Sequence, residues 1–207
     1  FPIAYDVRKN LVNTGTIEVK TEIPLTTLIF TLHPKCPSGW QHRRWCYASK
    51  HKLDSILLNC SEVETEKELC REMAEKHPKN YYAWVHRLWL LQHMTHFQVC
   101  LDDELTFTLN WLQNHVSDHS AVNHRIQVLL RIFSSPSALR YVLNENKTES
   151  NDLIVLKLNL LGRVIQESEE LVQNRPGHES LWALRRSLVE ILFQLISSTS
   201  NREVSIL

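Results

Sequence analysis

Histidine–arginine pairs recur along this chain, and their types and spacing could do chemistry. A histidine can exchange a proton near neutral pH, and an arginine is a permanent cation that binds carboxylates and phosphates. In each pair the arginine follows a tryptophan or valine by three positions, so those two side chains share one face of a helix. The pairs are His42 with Arg43, His86 with Arg87 and His124 with Arg125.

The same spacing of an aromatic or apolar residue and an arginine occurs five times, with the arginines at positions 8, 43, 87, 125 and 185. These positions are separated by 35, 44, 38 and 60 residues. A period near 35 residues with insertions is typical of a solenoid of helical hairpins, in which each hairpin buries its apolar face against its neighbours. We therefore predict an all-α, right-handed α-α superhelix of about five hairpins. It would form one domain over residues 1–207, with a variable loop near 144–152.

Two roles are open for the recurring residues. The tryptophan and arginine can serve as the packing joint between hairpins, or the histidine and arginine can face a partner protein.

The spacing of apolar residues and of Pro, Gly and Asn predicts where the helices lie. The first predicted helix ends near Val12. The others span 24–32, 38–58, 62–76, 81–96, 102–115, 118–133, 152–173 and 179–197.

Composition excludes several classes of partner. The chain has 23 basic and 23 acidic residues and a net charge of zero, so we expect neither nucleic-acid nor anionic-membrane binding. No apolar run approaches the roughly 20 residues of a membrane span. Five scattered cysteines indicate reduced thiols and a cytoplasmic protein. No secretory signal is visible, and we expect an N-terminal segment to be missing because the first motif begins almost at Phe1.

The sequence also lacks the patterns of a complete active site. His93 with His96 and His115 with His119 have spacings that could place two metal ligands on one helix face, but no third ligand accompanies them. There is no glycine-rich phosphate loop and no nucleophile motif. We therefore predict no metal site, and no enzyme activity for this chain alone.

The segment from Asn80 to Arg87, Asn-Tyr-Tyr-Ala-Trp-Val-His-Arg, resembles the protein prenyltransferase α-subunit repeat at every defining position. Segments 37–45, 116–120 and 176–182 carry further parts of the pattern. The resemblance implies a helical crescent around a catalytic β-subunit, of the type in Rab geranylgeranyltransferase. Zinc and geranylgeranyl diphosphate would be bound by that partner, and none by this chain. The substrates would be proteins with C-terminal cysteines, such as a SNARE or an F-box protein.

The resemblance also implies particular site residues. The family's second repeat carries a Lys-Asn-Tyr that reaches the diphosphate, and by repeat count its lysine is Lys35, while Pro37 replaces its tyrosine. Such a lysine would stabilise the leaving group. Lys79 and Tyr81 keep the pattern in the third repeat, and Tyr82 follows at a substrate-contacting position. We predict that these three residues and the six histidines and arginines of the pairs face the β-subunit or the substrate. The alternative is a non-enzymatic scaffold that has lost the β-subunit.

Overall fold

The computed structural model describes residues 2–50, 58–94, 97–144 and 152–204. Within them the chain is all α-helical and has no strand; Leu58 and Met94 form one isolated parallel bridge. The all-α prediction is confirmed. The helices are α1 Pro2–Asn13, α2 Val19–Leu32, α3 Pro37–Lys50, α4 Cys60–Lys76, α5 Tyr81–Leu90, α6 Phe97–Asn114, α7 His119–Ser134, α8 Pro136–Val142, α9 Leu153–Asn174 and α10 Glu179–Val204. Over the same residues no helix is both long and apolar enough to cross a membrane.

The chain divides into two compact units, Phe1–His96 and Phe97–Leu207. In the first unit α2 packs on α3 and α4 packs on α5; in the second α6 packs on α7 and α9 packs on α10. Each of these pairs is an antiparallel hairpin closed by a short turn. The single domain over 1–207 stays a prediction, and residues 145–151 of the predicted variable loop lie outside the described part of the chain.

An aromatic stack lies at the centre of the first unit. Phe30 of α2 lies over Trp40 of α3, with 4.1 Å between the ring centroids, and both side chains are fully buried. Ala83 of α5 and an apolar stripe of α4 complete the cluster. Helix α4 begins at a capping box, in which Asn59 accepts from the Glu62 backbone and Glu62 accepts from the Asn59 backbone. The cap and the apolar stripe together set where α4 starts and which face it buries.

Three boundaries differ from the predicted ones. Helix α2 begins at Val19, before Pro24, which lies inside the helix although a first-turn proline was expected. Helix α5 ends at Leu90 rather than near His96; beyond it the backbone N–H groups of Gln92 and His93 donate three residues back, to Trp89 and Leu90, instead of four. The short helix α8 was not predicted; Ser135 caps it, and its proline occupies the first turn, where a missing N–H costs nothing.

Candidate functional site

A buried carboxylate joins three helices of the first unit. Glu66 of α4 accepts hydrogen bonds from Arg43 of α3 at 2.7 and 2.5 Å, from the Tyr47 hydroxyl at 2.9 Å and from Nε2 of His86 in α5 at 2.8 Å. The glutamate and histidine side chains are fully buried, and the arginine is 2% exposed. A buried ion pair is stable only when its remaining donors and acceptors are satisfied, and all four acceptor positions of this carboxylate are in use.

The arrangement recurs in other hairpins. Glu22 of α2 accepts from Arg8 of α1 at 2.8 and 2.6 Å and from His42 of α3 at 2.9 Å. Glu104 of α6 accepts from His124 of α7 at 2.9 Å. In every case the glutamate precedes its histidine by 20 residues. We call these three sites the carboxylate networks of Glu22, Glu66 and Glu104.

The arginine that follows each histidine fixes the same hairpin through a backbone carbonyl. Arg43 donates to Ile23, Arg87 to Lys67 and Arg125 to Leu105, and each acceptor is the residue after the network glutamate. Each arginine therefore lies on the second helix of its hairpin and bonds to the backbone of the first helix. These bonds hold the two helices in one register.

In the networks of Glu22 and Glu66 an ionised carboxylate lies beside a neutral imidazole. A carboxylate only accepts, so Nε2 of each histidine carries the proton and donates it. Burial lowers the pKa of His42 and of His86. Although burial alone would raise the pKa of Glu66, the hydrogen bonds from Arg43 and His86 lower it to about 2. Hydrogen bonds from Arg8 lower the pKa of Glu22 as well. At neutral pH His42 and His86 are therefore neutral, and Glu22 and Glu66 are ionised.

The prediction that the histidine–arginine pairs face a partner needs correction. All six side chains are buried, with exposed fractions of 5% or less. They bind partners inside this chain: each arginine donates to a carbonyl of its own hairpin, and Arg43 and Arg125 also pair with a glutamate of the next hairpin. A buried guanidinium has to be paired in this way. Of the two roles open at the sequence level, the structure places these residues in the packing joint.

The hairpin of α9 and α10 replaces the network by apolar residues. Leu184 occupies the position of the histidine, and Val164, 20 residues earlier, occupies the position of the glutamate. Both side chains are buried. Arg125 of α7 then pairs with Glu167, one helical turn beyond that valine. This hairpin thus lacks both the network glutamate and the network histidine, and Arg125 still has a carboxylate partner on α9.

The turns of the two hairpins in the first unit lie side by side. The Lys35 ammonium donates to the Pro78 carbonyl at 2.9 Å, and Asn80 donates from Nδ2 to the Pro34 carbonyl at 3.0 Å. The Trp40 indole N–H donates to the same Pro34 carbonyl at 2.8 Å. A groove of about 620 Å³ runs between the turns. We call this edge the turn surface; its outward side chains include Lys35, Lys79 and Tyr81.

The structure separates the predicted residues of this edge. Lys79 is exposed and has φ 63°, so its backbone reverses direction just before α5. Tyr81 is 56% exposed, whereas Tyr82 packs against the aromatic core cluster with its ring in edge contact with Tyr81. Pro37 occupies the first position of α3, where its fixed φ suits a helix start. Tyr81, Lys35 and Lys79 therefore remain candidates for contact with a partner, and Tyr82 mainly supports them.

No metal site is formed by the described residues, among which no group of three or more His, Cys, Asp and Glu side chains converges. His96 lies outside the described residues, and the His115 imidazole donates to the Trp111 carbonyl at 3.2 Å. The five cysteines are free thiols.

The network glutamates were missed at the sequence level. A single glutamate in a helix usually faces solvent, and nothing in its neighbours marks Glu22, Glu66 or Glu104 as buried. The available signal was the constant interval of 20 residues to each histidine. That interval is a property of the repeat, so it becomes visible only when the copies are aligned.

The fold and networks define a class of protein: an all-α protein of repeated helical hairpins joined by buried carboxylates. The protein prenyltransferase alpha subunit repeat matches at residues 19–49, 63–94 and 101–132. These ranges hold the hairpins α2–α3, α4–α5 and α6–α7, and each network glutamate is the fourth residue of its range. The chain therefore carries three copies of the protein prenyltransferase alpha subunit repeat. About five copies were predicted; the two around Arg8 and Arg185 lie outside the matched ranges.

Similar proteins carry the same repeat in their names. Protein prenyltransferase alpha subunit repeat-containing protein 1-A of Xenopus laevis is 33% identical, with 97% of this chain and 54% of that protein aligned. Protein prenyltransferase alpha subunit repeat-containing protein 1 of Homo sapiens is 32% identical, over 91% of this chain and 54% of that protein. The chain thus spans about half the length of these curated relatives.

Proposed function

We propose that this chain is an α-subunit-type scaffold of a heterodimeric protein geranylgeranyltransferase. It would bind a β-subunit of the Rab geranylgeranyltransferase type and help recruit proteins with C-terminal cysteines, such as a SNARE or an F-box protein, in the cytoplasm. The three copies of the repeat support this proposal. The observation that carries it is the turn surface, where two cationic turns are held together and point outward.

The turn surface suits a partner that carries phosphate charge. Lys35 and Lys79 are both exposed, and Leu32 and Pro78 give the groove between the turns an apolar wall. A lysine is a mobile point charge and can follow the developing charge of a diphosphate leaving group. Exposed Tyr81 adds a large apolar ring with a hydroxyl, a residue type that is common at protein interfaces.

The chemistry of the reaction would belong to the partner. A zinc ion on the β-subunit would activate the substrate thiolate for attack on the isoprenoid. This chain would contribute the cationic edge and a rigid frame, since His42, Arg43 and His86 are committed to the carboxylate networks. A rigid frame matters because a misplaced charge near a reacting group loses most of its effect.

Co-expression with a β-subunit of this type tests the proposal. We expect a stable complex on size-exclusion chromatography, and transfer of a labelled geranylgeranyl group to a substrate with a C-terminal cysteine. Replacing Lys35 and Lys79 together by methionine should lower the transfer rate at least tenfold, because the substitution removes the charge and keeps the apolar stem.

The matched control is Lys20→Met on α2, which removes an exposed charge that pairs with Glu18. That variant should keep the wild-type rate and the same complex. Failure of the wild-type chain to co-purify with the β-subunit would contradict the proposal. Equal transfer rates for all variants would show that the turn surface does not contribute to the reaction.

The alternative is a non-enzymatic helical scaffold. The replacement of a whole network by Val164 and Leu184 favours it, because the last hairpin keeps the packing without the charged residues. Pro37 at the position of the family's tyrosine points the same way. On this alternative the chain binds proteins but forms no complex with a β-subunit, so the co-expression experiment separates the two.

A further inference from the structure

The outer face of α10 repeats a pattern that α7 buries. Trp182, Arg185, Val189 and Phe193 follow one another at intervals of three, four and four residues. In α7 the same intervals give Val122, Arg125, Leu129 and Phe133. The two sets therefore occupy equivalent positions on the second helices of the hairpins α6–α7 and α9–α10.

The two faces differ in what covers them. In α7 the three apolar residues of the set are 8% exposed or less, and α6, α8 and α10 pack on that helix. In α10 the corresponding side chains are 36%, 37% and 65% exposed. They line a groove of about 780 Å³ together with Arg185 and Glu190. This face therefore has the composition of an interhelical joint and lies open.

In three cases the arginine of the pattern binds a glutamate on the first helix of the next hairpin. Arg8 of α1 binds Glu22 of α2, Arg43 of α3 binds Glu66 of α4, and Arg125 of α7 binds Glu167 of α9. These glutamates are buried or three-quarters buried. The joint between repeats is therefore an apolar stripe with one ion pair inside it.

Arg185 makes only exposed substitutes for that bond. It contacts Glu169 of its own hairpin at 3.2 Å, where both side chains are more than a third exposed, and it lies 5.5 Å from the Trp182 ring centroid. Exposed ion pairs contribute little to stability, so a better-placed carboxylate can take the guanidinium. The neighbouring Arg186 pairs with Glu179 and carries additional positive charge on this side.

We propose that the α10 face is a docking site for an amphipathic helix of a partner protein that presents one glutamate within an apolar stripe. The glutamate would bind Arg185, and its apolar neighbours would cover Trp182, Val189 and Phe193. Charge complementarity and the three internal joints support this occupant. The site lies in the second unit and does not involve the turn surface, so it is independent of the proposed function.

A peptide of residues 59–76 is a suitable probe, because α4 carries Glu66 among the apolar residues that this joint requires. A covalent link between its positions 64 and 68, which are exposed in α4, would keep it helical. We expect the labelled peptide to bind the chain in fluorescence anisotropy. Its Glu66→Gln form should bind about fivefold more weakly, as loss of one ion pair on a partly covered surface implies.

Matched variants of the chain locate the binding. Arg185→Met and Phe193→Ser should each weaken the peptide at least fivefold. Arg186→Met removes an adjacent charge, and Leu28→Ser removes an equally exposed apolar residue on α2, so both should leave binding unchanged. Circular dichroism confirms the fold of every variant.

Three outcomes would overturn the proposal. The first is absence of peptide binding, and the second is equal binding by Arg185→Met and Arg186→Met. The third is a dimer of the chain that is lost in Phe193→Ser and competes with the peptide, which would give this face to a second copy.

Discussion

Removal of the Glu66 carboxylate charge should destabilise the first unit strongly. The change is Glu66→Gln, which keeps the shape of the side chain and removes the charge that Arg43 requires. The pKa of Glu66 falls from its ordinary 4.5 to about 2. At about 1.4 kcal/mol per pKa unit, that difference corresponds to about 3 kcal/mol of interaction with the ionised form. Breaking a buried ion pair typically costs roughly 3–5 kcal/mol, so we expect a loss of about 3 kcal/mol.

Urea denaturation followed by far-UV circular dichroism measures this loss as a shift in the midpoint. The matched control is Glu68→Gln, two residues along the same helix, where the carboxylate is 61% exposed and binds Arg71. We expect less than about 0.5 kcal/mol there. If the two variants lie within about 1 kcal/mol of each other, the Glu66 network does not stabilise the unit and the reasoning is refuted.

The pH dependence provides a second test of the same residue. A glutamate with a lowered pKa stabilises the folded state above its ordinary pKa, and that contribution disappears as the pH falls from 4.5 toward 2. The Glu66→Gln chain lacks this contribution at every pH. The stability curves of the two proteins should therefore converge on acidification, and parallel curves would contradict the assignment.

Four further perturbations test the packing of the hairpins. The first is the double change Glu22→Val with His42→Leu, which introduces the pair found in the last hairpin. In urea titrations its loss of unfolding free energy should be at least about 1 kcal/mol smaller than the sum of the losses from the two single changes. Strict additivity would contradict this. Burial lowers the pKa of His42 below its ordinary 6.5, so the free energy of unfolding should fall as the pH drops below 6.5. The slope of stability against pH should be shallower for His42→Leu, and identical slopes would refute this role of His42. Gly39→Ala places a methyl group 3.0 Å from a ring carbon of Phe30 and 3.0 Å from the Tyr5 hydroxyl. The free energy of unfolding should therefore fall by about 1–3 kcal/mol, which thermal denaturation detects as a lower melting temperature. Gly162→Ala meets open space in the middle of α9 and should raise the melting temperature instead.

Much of the helical architecture followed from local signals. The turns at His33-Pro34 and His77-Pro78 were recognised because proline cannot continue a helix, and apolar spacing placed α4, α7 and α9 to within a few residues. The start of α2 was missed because Pro24 is tolerated inside the helix there. Helix α8 was missed because seven residues carry too little periodicity to distinguish a helix from a turn.

The site was predicted less well than the fold. The recurrence of His42, His86 and His124 was visible, but their orientation was not, because a helix position is buried only when another helix packs on it. The exposed positions of Lys35 and Lys79 agree with an outward-facing edge. Whether that edge touches a β-subunit stays a prediction.

The sequence by itself determined the elements of this protein: the helices, the turns between them and the period that repeats one hairpin. Those properties depend on residues within a few positions of one another, so they can be inferred from spacing and propensity. Only the tertiary structure decided that Glu66 is buried between Arg43 and His86, and that the matching face of α10 is open. Burial and charge pairing depend on residues 20 or more positions apart, whose contacts exist only after the helices have packed.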